Sequence, residues 1–433
     1  MSEAKPFEIE TSLIAEAWYL VRKNKGAPGV DKQSIRKYEE DVSGNLYRLW
    51  NRMSSGTYFP SPVRLVEIPK PNGGTRPLGI PTVEDRIAQQ AAVICMNPRM
   101  EKMFHPDSYG YRPNKSAHDA VAKAKERSMK YNWVLDMDIS KFFDTIDHEL
   151  LMKAVKWVVK EKWVVLYIGR WLKVPYQLED GTLVERTMGV PQGSVIGPVL
   201  ANLFLHITFD KWMTINFKDI PFERYADDTI CHCQSLKQAQ DLYECLKRRF
   251  ARCGLKLNED KTKIVYCKDS NRKYGKNYET SFDFLGFTFK GRAARNSKTH
   301  QVFTSFLPAM KDKAIKKARE AIKGWKCLWN YHLELPQIAQ KINDVVRGWI
   351  EYYSKQYVTV FRREVMDYLN SRLAIWCAKK YKNLRRNKQA GYEKLAKIAY
   401  YNPDIFVHWQ AGFMPYSGKI EKVVQPTLFS TLK

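Results

Sequence analysis

Short apolar runs separated by turns predict strands at three places in the first two-thirds of the chain. Residues 63–80 form two such runs around Asn-Gly and Gly-Gly pairs, whose positive φ angles suit a β-hairpin turn. Residues 133–139 form one apolar run that is interrupted by two aspartates. Residues 220–233 predict a second hairpin, with an Asp-Asp pair at its tip.

Helical spacing of apolar residues is found between and after these strands. Ile87, Ala91 and Ile94 recur at helical intervals, and Pro98 is expected to end that helix. From about residue 291 onward the pattern is helical throughout. The sequence therefore predicts an α+β fold in the first two-thirds and an all-helical remainder.

One uncharged stretch, residues 187–209, is long enough to span a membrane. It contains Pro191 and Pro198, which would break a lipid-exposed helix, so a turn leading into a buried helix is expected. The eight cysteines form no CxxC pair, and the charged N-terminus does not resemble a secretory signal. No membrane partner is expected, and the predicted location is cytoplasmic.

The chain is strongly basic, with a formal net charge of +26. Residues 290–400 hold 25 Lys and Arg against 8 Asp and Glu, an excess of 17 positive charges. Such an excess favours nucleic acid over the competing partners, membrane surfaces and acidic proteins, because each neutralised phosphate releases counterions. These cations could instead be merely solvated. The candidates for RNA contact in this region are Lys313, Lys317, Arg385 and Arg386.

Two acidic clusters stand out against this basic background. One follows the predicted strand at residues 136–144, and the other is the Asp-Asp pair at 227–228. Carboxylates gathered on adjoining strand ends repel each other unless a divalent cation holds them. A lone Asp-Asp pair would more simply be a turn former. The combination of two acidic strand ends favours a metal site for phosphoryl transfer.

These clusters resemble two motifs of reverse transcriptases. Residues 225–228 (Tyr-Ala-Asp-Asp) are similar to the family's catalytic hairpin, and residues 138–143 are similar to its first metal-binding strand. The resemblance implies a right-hand polymerase, with fingers and a palm built on an antiparallel sheet. It also implies two bound Mg²⁺ ions, with Mn²⁺ as a possible substitute. The implied catalytic and metal-binding residues are Asp138, Asp227 and Asp228.

The same resemblance assigns Phe143 as a steric gate that would clash with a ribose 2′-hydroxyl and so select deoxynucleotides. Asp136 lies on the same face of the predicted strand as Asp138 because strand side chains alternate. It remains a weaker metal-ligand candidate.

Residues 68–81 are similar to the fingers motif of the family. By this resemblance Lys70 and Arg76 would hold the incoming triphosphate, Arg76 in a bidentate manner and Lys70 as a point charge. The alternative is a surface hairpin with two solvated cations.

Further blocks match in the family's order, at residues 108–114, 189–193, 255–262 and 284–287. The 189–193 loop is glycine-rich, which would let its backbone approach a nucleotide closely. The implied contacts are Arg112 and Asn114 with template or nucleotide, and Gln192 and Lys261 with the incoming nucleotide.

Within the reverse transcriptases, the chain most resembles proteins encoded in group II introns. Residues 25–31 match their N-terminal extension, and residues 346–353 resemble their thumb, or maturase, motif. An HNH endonuclease is not expected, since beyond residue 383 there is one histidine and no cysteine. The implied domains are an N-terminal extension (1–60), fingers and palm (61–290), a helical thumb or maturase domain (291–382) and a small basic C-terminal region (383–433).

The leading hypothesis is an RNA-directed DNA polymerase that uses an RNA template and a DNA primer. It would also bind group II intron RNA and target DNA, and assist splicing and retromobility. One alternative is a maturase in which polymerisation is secondary; another is a domesticated reverse transcriptase in phage defence or repair. The expected setting is a bacterial cytoplasm, associated with the nucleoid or a ribonucleoprotein, and monomer and homodimer both remain open.

Overall fold

The computed structural model describes residues 5–69, 73–272, 277–384 and 386–416. The chain divides into two compact units. Unit 1 comprises Met1–Ala124 and Tyr131–Ile264, and unit 2 comprises Lys125–Lys130 and Val265–Lys433. Unit 1 combines groups of helices with antiparallel strand pairs, which confirms the predicted α+β class. Among the described residues, no helix is long and apolar enough to cross a membrane.

Among the residues that the structure describes, unit 1 carries eleven α-helices and eight strands, of which α5 and β8 run across its boundary. The helices are α1 (Thr11–Asn24), α2 (Ile35–Glu39), α3 (Val42–Ser55), α4 (Val83–Met103), α5 (Ala117–Ser128), α6 (Phe142–Thr145), α7 (His148–Val158), α8 (Lys162–Lys173), α9 (Gly197–Leu205), α10 (Lys211–Asn216) and α11 (Leu236–Arg252). The strands are β1 (Val63–Pro69), β2 (Thr75–Ile80), β3 (Trp133–Met137), β4 (Tyr176–Gln177), β5 (Leu183–Val184), β6 (Phe222–Tyr225), β7 (Asp228–Cys233) and β8 (Lys263–Tyr266).

Two four-stranded sheets organise these elements, in the orders β2-β1-β4-β5 and β6-β7-β3-β8. The pairs β1–β2, β6–β7 and β3–β7 are antiparallel. Both hairpins predicted from the apolar runs are therefore present. The sheet with the order β6-β7-β3-β8 positions the two acidic clusters.

The proline in α4 does not end that helix, so the prediction for Pro98 was wrong. The helix continues to Met103, and the buried Met96 and Met100 lie on either side of the proline. Pro98 removes one backbone N–H donor. The burial of the apolar residues around it evidently outweighs this local loss.

The uncharged stretch forms a turn and then a buried helix, as predicted. Helix α9 has every residue except Pro198 buried, so its apolar composition serves the protein core. It continues directly into a π-helical turn, His206–Asp210, and then into α10.

Unit 2 begins with a three-stranded antiparallel sheet in the order β11-β10-β9. Its strands are β9 (Ser281–Phe284), β10 (Phe287–Arg295) and β11 (Val302–Met310). Its helices are α12 (Asp312–Gly324), α13 (Leu335–Tyr353), α14 (Val358–Phe361), α15 (Asp367–Lys380), α16 (Lys388–Tyr401) and α17 (Val407–Gln410). Shorter turns are 3-10 helical at Lys326–Trp329, Lys382–Leu384 and Pro403–Ile405 and π-helical at Arg362–Met366.

The helical region starts at Asp312, which corrects the predicted start near residue 291. Only the first part of β10 and the last part of β11 are buried, so the outer half of this hairpin carries no apolar alternation. Without that alternation the sequence offers no strand signal there. The whole hairpin belongs to unit 2, whose second segment begins at Val265, whereas the predicted boundary was at residue 290.

The helices of unit 2 share one hydrophobic core, to which α12, α13 and α15 contribute Ile322, Ile342 and Leu369. Gly391 of α16 lies against the backbone of α15, where a Cβ atom would collide with the Ala374 carbonyl. A side chain at this position would therefore force α15 and α16 apart.

Candidate active site

Strand register brings the two acidic clusters together. The last residue pair between β3 and β7 is Met137 with Thr229, so the next positions are Asp138 and Asp228. Opposed residues of an antiparallel pair have Cα atoms about 4.5–5.5 Å apart and side chains on one face. Asp227 lies in the two-residue turn between β6 and β7. All three aspartates thus lie at one end of the sheet.

Asp136 is farther from the hairpin tip. It lies opposite Ile230, two residues from Asp138 on the same strand and the same face. At about 3.3 Å of rise per residue, this places its Cα more than 6 Å along the strand. Its lower rank as a metal ligand remains a prediction.

The electrostatics of the tip reflect this crowding. Burial raises the pKa of Asp227, and the negative charge of Asp138 raises it further, whereas Arg76 and Arg224 act in the opposite direction. Asp138 faces a cation as well, since the Lys261 ammonium lies 3.4 Å from its Oδ2. In the described part of the chain, no three or more His, Cys, Asp or Glu side chains are already grouped to hold a metal ion.

The segment that carries Lys261 is fixed to the end of β3 by backbone contacts. Asn258 donates its backbone N–H to the Asp138 carbonyl at 2.8 Å, and Asp138 donates its own to Thr262 Oγ1 at 3.3 Å. These contacts hold Lys261 beside the carboxylate, although its side chain is 66% exposed. The lysine is therefore held near the site and still open to solvent.

Phe143 is held by the glycine-rich loop at residues 189–193. The Val190 backbone N–H donates to the Phe143 carbonyl at 2.7 Å. Gly189 has φ +81°, and a Cβ there would lie 2.9 Å from that same carbonyl oxygen. The close approach explains why the loop needs glycine at this position. The Phe143 ring is half-buried and meets Phe142 edge-on.

Arg76, Gln192 and Asp144 form a short chain of hydrogen bonds. Arg76 donates from Nε to Gln192 Oε1, and Gln192 Nε2 donates to Asp144 Oδ1 at 3.3 Å. The arginine of the 68–81 block and the glutamine of the 189–193 loop are thus brought together. Asp144 had been given no role of its own from the sequence, although it ends the first acidic cluster. Lys70, the other predicted triphosphate contact, lies outside the described residues.

The two residues predicted to meet template or nucleotide differ in their surroundings. The Arg112 side chain is 6% exposed and pairs with Glu101 at 2.9 Å. It also donates to the carbonyls of His105 and Ser108, so its guanidinium already serves the fold. Asn114 is exposed, with φ +59°. The template contact of Arg112 stays a prediction, and its nitrogens would have to leave these partners to make one.

A buried arginine beneath the hairpin tip escaped the sequence reading. Arg224 donates to both carboxylate oxygens of Asp210, at 2.7 and 2.6 Å, and to the Ala226 carbonyl at 3.1 Å. Both side chains of the ion pair are fully buried. Ala226 has φ +58°, so the arginine fixes the strained turn that carries Asp227. The available signal was weak: Asp210 follows the uncharged run at 187–209, and Arg224 lies in the predicted strand just before the Tyr-Ala-Asp-Asp motif.

Tyr111 also lies near the tip without having been predicted. Its ring centroid is 6.5 Å from that of Tyr225. Burial raises the pKa of Tyr111, and the charge of Asp227 adds to the rise. Gly110 beside it is packed so closely that a Cβ would lie 2.5 Å from the Ala226 nitrogen. The 108–114 block therefore supports the β6–β7 turn by direct packing.

Three of the candidate RNA contacts lie in the described part of unit 2. Lys313 and Lys317 are exposed on α12, and Arg386 is exposed before α16. Arg385 lies outside the described residues. Their exposure is compatible with a phosphate contact, which stays a prediction.

Comparison with known proteins agrees with this arrangement. The family profile described as reverse transcriptase (RNA-dependent DNA polymerase) matches residues 68–289, about half of the chain. The chain belongs to the reverse transcriptase family and is an RNA-directed DNA polymerase. The reverse-transcriptase class of polymerase expected from the sequence is confirmed, and divalent metal ions are general in this family.

A second family profile matches the part of the chain that follows the reverse transcriptase region. The profile of the group II intron maturase-specific domain matches residues 315–392, within unit 2. Group II intron-encoded proteins are among its relatives, as the resemblance had implied.

Relatives of different lengths support the match. Protein YkfC of Escherichia coli is 33% identical over 67% of this chain and 84% of its own length. The group II intron-encoded protein LtrA of Lactococcus lactis is 31% identical over 58% of this chain, which covers 40% of LtrA. A telomerase structure from Candida albicans aligns with 90% of this chain and 69% of its own, at 10% identity and a TM-score of 0.45.

Proposed function

We propose that the chain extends a DNA primer along an RNA template at Asp138, Asp227 and Asp228. The convergence of these carboxylates at the end of the β6-β7-β3-β8 sheet is the observation that carries the proposal. Their oxygens suit hard divalent cations such as Mg²⁺, with Mn²⁺ as a substitute. When bound, two such ions would activate the primer 3′-hydroxyl and stabilise the leaving pyrophosphate.

The raised pKa of Asp227 supports the fit of this donor set. Two carboxylates that disfavour each other's charge gain from a cation placed between them. The contact between Lys261 and Asp138 supplies one positive charge here. Lys261 is exposed enough to turn toward the phosphates of an incoming nucleotide.

Arg76 and Gln192 are proposed to position that nucleotide. Arg76 is bound to a neutral amide, so a phosphate can replace its partner without breaking an ion pair. Phe143 is proposed to contact the sugar, because the 189–193 loop fixes its backbone and leaves its ring half-exposed. Lys70 is proposed as a further triphosphate contact from the sequence alone.

The polymerase proposal is tested by primer extension on poly(rA)/oligo(dT). Asp227→Ala should abolish extension, while Asp180→Ala, which changes an exposed aspartate in the turn between β4 and β5, should leave it unchanged. Binding of the primer–template should persist in Asp227→Ala. Equal loss of binding and extension would mean that Asp227 is structural.

The sugar contact has its own test. Phe143→Val removes ring volume and should let the enzyme add ribonucleotides, raising the ratio of ribonucleotide to deoxynucleotide incorporation by about tenfold or more. Phe142→Leu, next to it and buried in the core, is the matched control for lost aromatic volume. An unchanged sugar preference in Phe143→Val would reject the contact.

A second role, in splicing, is favoured by the maturase-specific profile over residues 315–392. We propose that unit 2 binds group II intron RNA through its cationic surface, including Lys313, Lys317 and Arg386. Arg385 is added from the sequence. Target DNA binding and retromobility would follow from the same ribonucleoprotein.

The splicing role is tested on RNA transcribed from the DNA that flanks the gene. Asp227→Ala protein should still accelerate its splicing, and a combined Lys313→Glu and Lys317→Glu variant should not. A flanking RNA that does not splice with any variant would favour a domesticated polymerase in defence or repair.

A further inference from the structure

Unit 1 contains a second cleft whose lining includes none of the proposed active-site residues. It lies among α7, α9, the π-helical turn and α11 and has a volume of about 390 Å³. Its apolar wall comes from Leu150, Ala154, Phe204 and Ile207. Neither the polymerase reaction nor the maturase-specific domain accounts for it.

The charge of this cleft has one sign. Four cations line it, Lys153, Lys211, Arg249 and Arg252, and no acidic side chain is among its lining residues. Within the ranges that the structure describes, these four residues are found in no ion pair with a carboxylate. A set of cations left without carboxylate partners favours an anionic ligand.

Trp157 gives the cleft a flat aromatic surface. The residue is 60% exposed, which is unusual for a tryptophan in a folded protein. The Lys211 ammonium lies 4.5 Å from the ring centroid, in cation–π contact. An exposed indole with an adjacent cation can stack a base and hold the neighbouring phosphate.

The π-helical turn shapes the wall next to this aromatic surface. Such turns leave carbonyls without their usual α-helical partners and often occur at functional sites. Arg249 fills this need, donating to the Thr208 carbonyl at 3.0 Å and to the Ile207 carbonyl at 3.3 Å. It is thereby held in place as a fixed positive charge in the cleft wall.

We propose that this cleft binds an unpaired segment of RNA, with a base stacked on Trp157 and phosphates contacting Lys153, Lys211 and Arg252. An RNA-directed polymerase always works beside template that is not yet paired, so this ligand is at hand. A second copy of the chain is a poor occupant, because the contact would bring eight cations together. An acidic peptide satisfies the cations, but it offers no flat partner for the exposed indole.

The test measures binding of fluorescent (rU)12 to the full chain. A blunt RNA–DNA hybrid hairpin at saturating concentration fills the polymerase site, so that the measured (rU)12 binding comes only from other sites. Trp157→Ala should weaken (rU)12 binding by about tenfold, as expected for loss of one stacked base. Trp157→Phe should stay within about threefold of the parent protein.

Two matched controls separate this site from general effects of charge and exposure. Lys153→Glu should weaken binding more than Lys156→Glu, because both lysines are exposed on α7 but only Lys153 lines the cleft. Tyr47→Ala removes an aromatic that is 61% exposed elsewhere in unit 1 and should change nothing. Primer extension should be the same in all five variants, so a failure of the polymerase proposal would be seen separately.

Three results would overturn the inference. The first is an unchanged dissociation constant in both Trp157→Ala and Lys153→Glu. The second is binding of a (Glu)12 peptide that depends on Trp157 when (rU)12 binding does not. The third is a fall in molar mass of Trp157→Ala by light scattering, which would assign the cleft to self-association.

Discussion

Two of the carboxylate–cation pairs in unit 1 have opposite properties. Asp138 and Lys261 lie 3.4 Å apart with side chains 40% and 66% exposed. Asp210 and Arg224 lie 2.6 Å apart with both side chains fully buried. The first pair is at the open end of β3, and the second lies beneath the β6–β7 turn. They serve the same hairpin from its two sides.

The two pairs differ in how easily their charged side chains can take other partners. An exposed pair contributes little to stability, and its members can take other partners at small cost. A buried pair cannot be separated without leaving a charge in a medium that does not solvate it. We infer that Asp210 and Arg224 hold the turn in shape, so that Asp138 and Lys261 are free to meet ligands.

Breaking the buried pair should have the largest effect. Asp210→Ala leaves the Arg224 guanidinium buried without its counter-charge, which should lower the free energy of unfolding by about 3–5 kcal/mol. Urea denaturation of the purified protein measures this change. The double variant Asp210→Leu/Arg224→Met should be less destabilised than Asp210→Ala, because it buries no unpaired charge. A double variant that is less stable than Asp210→Ala would contradict this explanation.

Neutralising the exposed carboxylate should act on the reaction and not on the fold. Asp138→Asn should lower kcat for primer extension by at least about a hundredfold, the order seen when a group that stabilises the transition state is removed. Its melting temperature should not fall, because repulsion with Asp227 is relieved. A melting temperature that drops as far as in Asp210→Ala would end the distinction between the two pairs.

Removing the exposed cation should have a smaller effect. Lys261→Ala should raise the KM for deoxynucleotide by about tenfold, consistent with one lost charge-assisted hydrogen bond to phosphate. Lys261→Arg should recover part of the loss. The melting temperature should change by no more than about 2 °C, as for other surface substitutions. A KM that stays constant would exclude Lys261 from nucleotide binding.

The smallest expected effect is a shift with pH. Burial and the Asp138 charge raise the pKa of Asp227, so its carboxyl keeps a proton to a higher pH than an ordinary aspartate. Activity should fall as the pH drops through that raised pKa. More Mg²⁺ should move this fall to lower pH, because metal and proton compete for the same oxygens. If the loss of activity at low pH does not depend on Mg²⁺ concentration, a group other than Asp227 is titrating.

Asp210 should behave differently over the same range. Burial alone would raise its pKa, but the Arg224 charge and hydrogen bonds outweigh burial and hold the pKa below its ordinary value. A depressed pKa stabilises the fold above the unfolded-state pKa, and this contribution is lost only as pH falls through the lower, folded value. The free energy of unfolding should therefore keep the contribution of this pair while activity is already declining.

The sequence predicted the strands and motifs of unit 1 because their apolar periodicity is strong. The hairpin at 220–233 and the run at 133–139 are regular enough to place Asp138, Asp227 and Asp228 at one end of a sheet. The prediction from sequence was wrong where tertiary packing outweighed a local preference of the backbone. Pro98 is a helix breaker by itself, but α4 is buried around it and continues.

The network under the turn was missed for a related reason. Arg224 and Asp210 do not belong to the matched motifs. A sequence alone does not say which charged residues will form an ion pair in the core. The hairpin after residue 287 was missed because its outer half is exposed on both faces. Hydrophobic periodicity does not reveal features that depend on contacts between residues distant in the sequence.

The chain of hydrogen bonds from Arg76 through Gln192 to Asp144 has a consequence for substrate entry. In the free enzyme the guanidinium rests on an uncharged amide, and that amide in turn rests on a carboxylate. An arriving triphosphate thus meets an arginine whose departure leaves no orphaned anion behind. Gln192→Glu would convert this loose attachment into a true ion pair and remove the amide donor to Asp144, so it should impair both the capture and the positioning of the nucleotide.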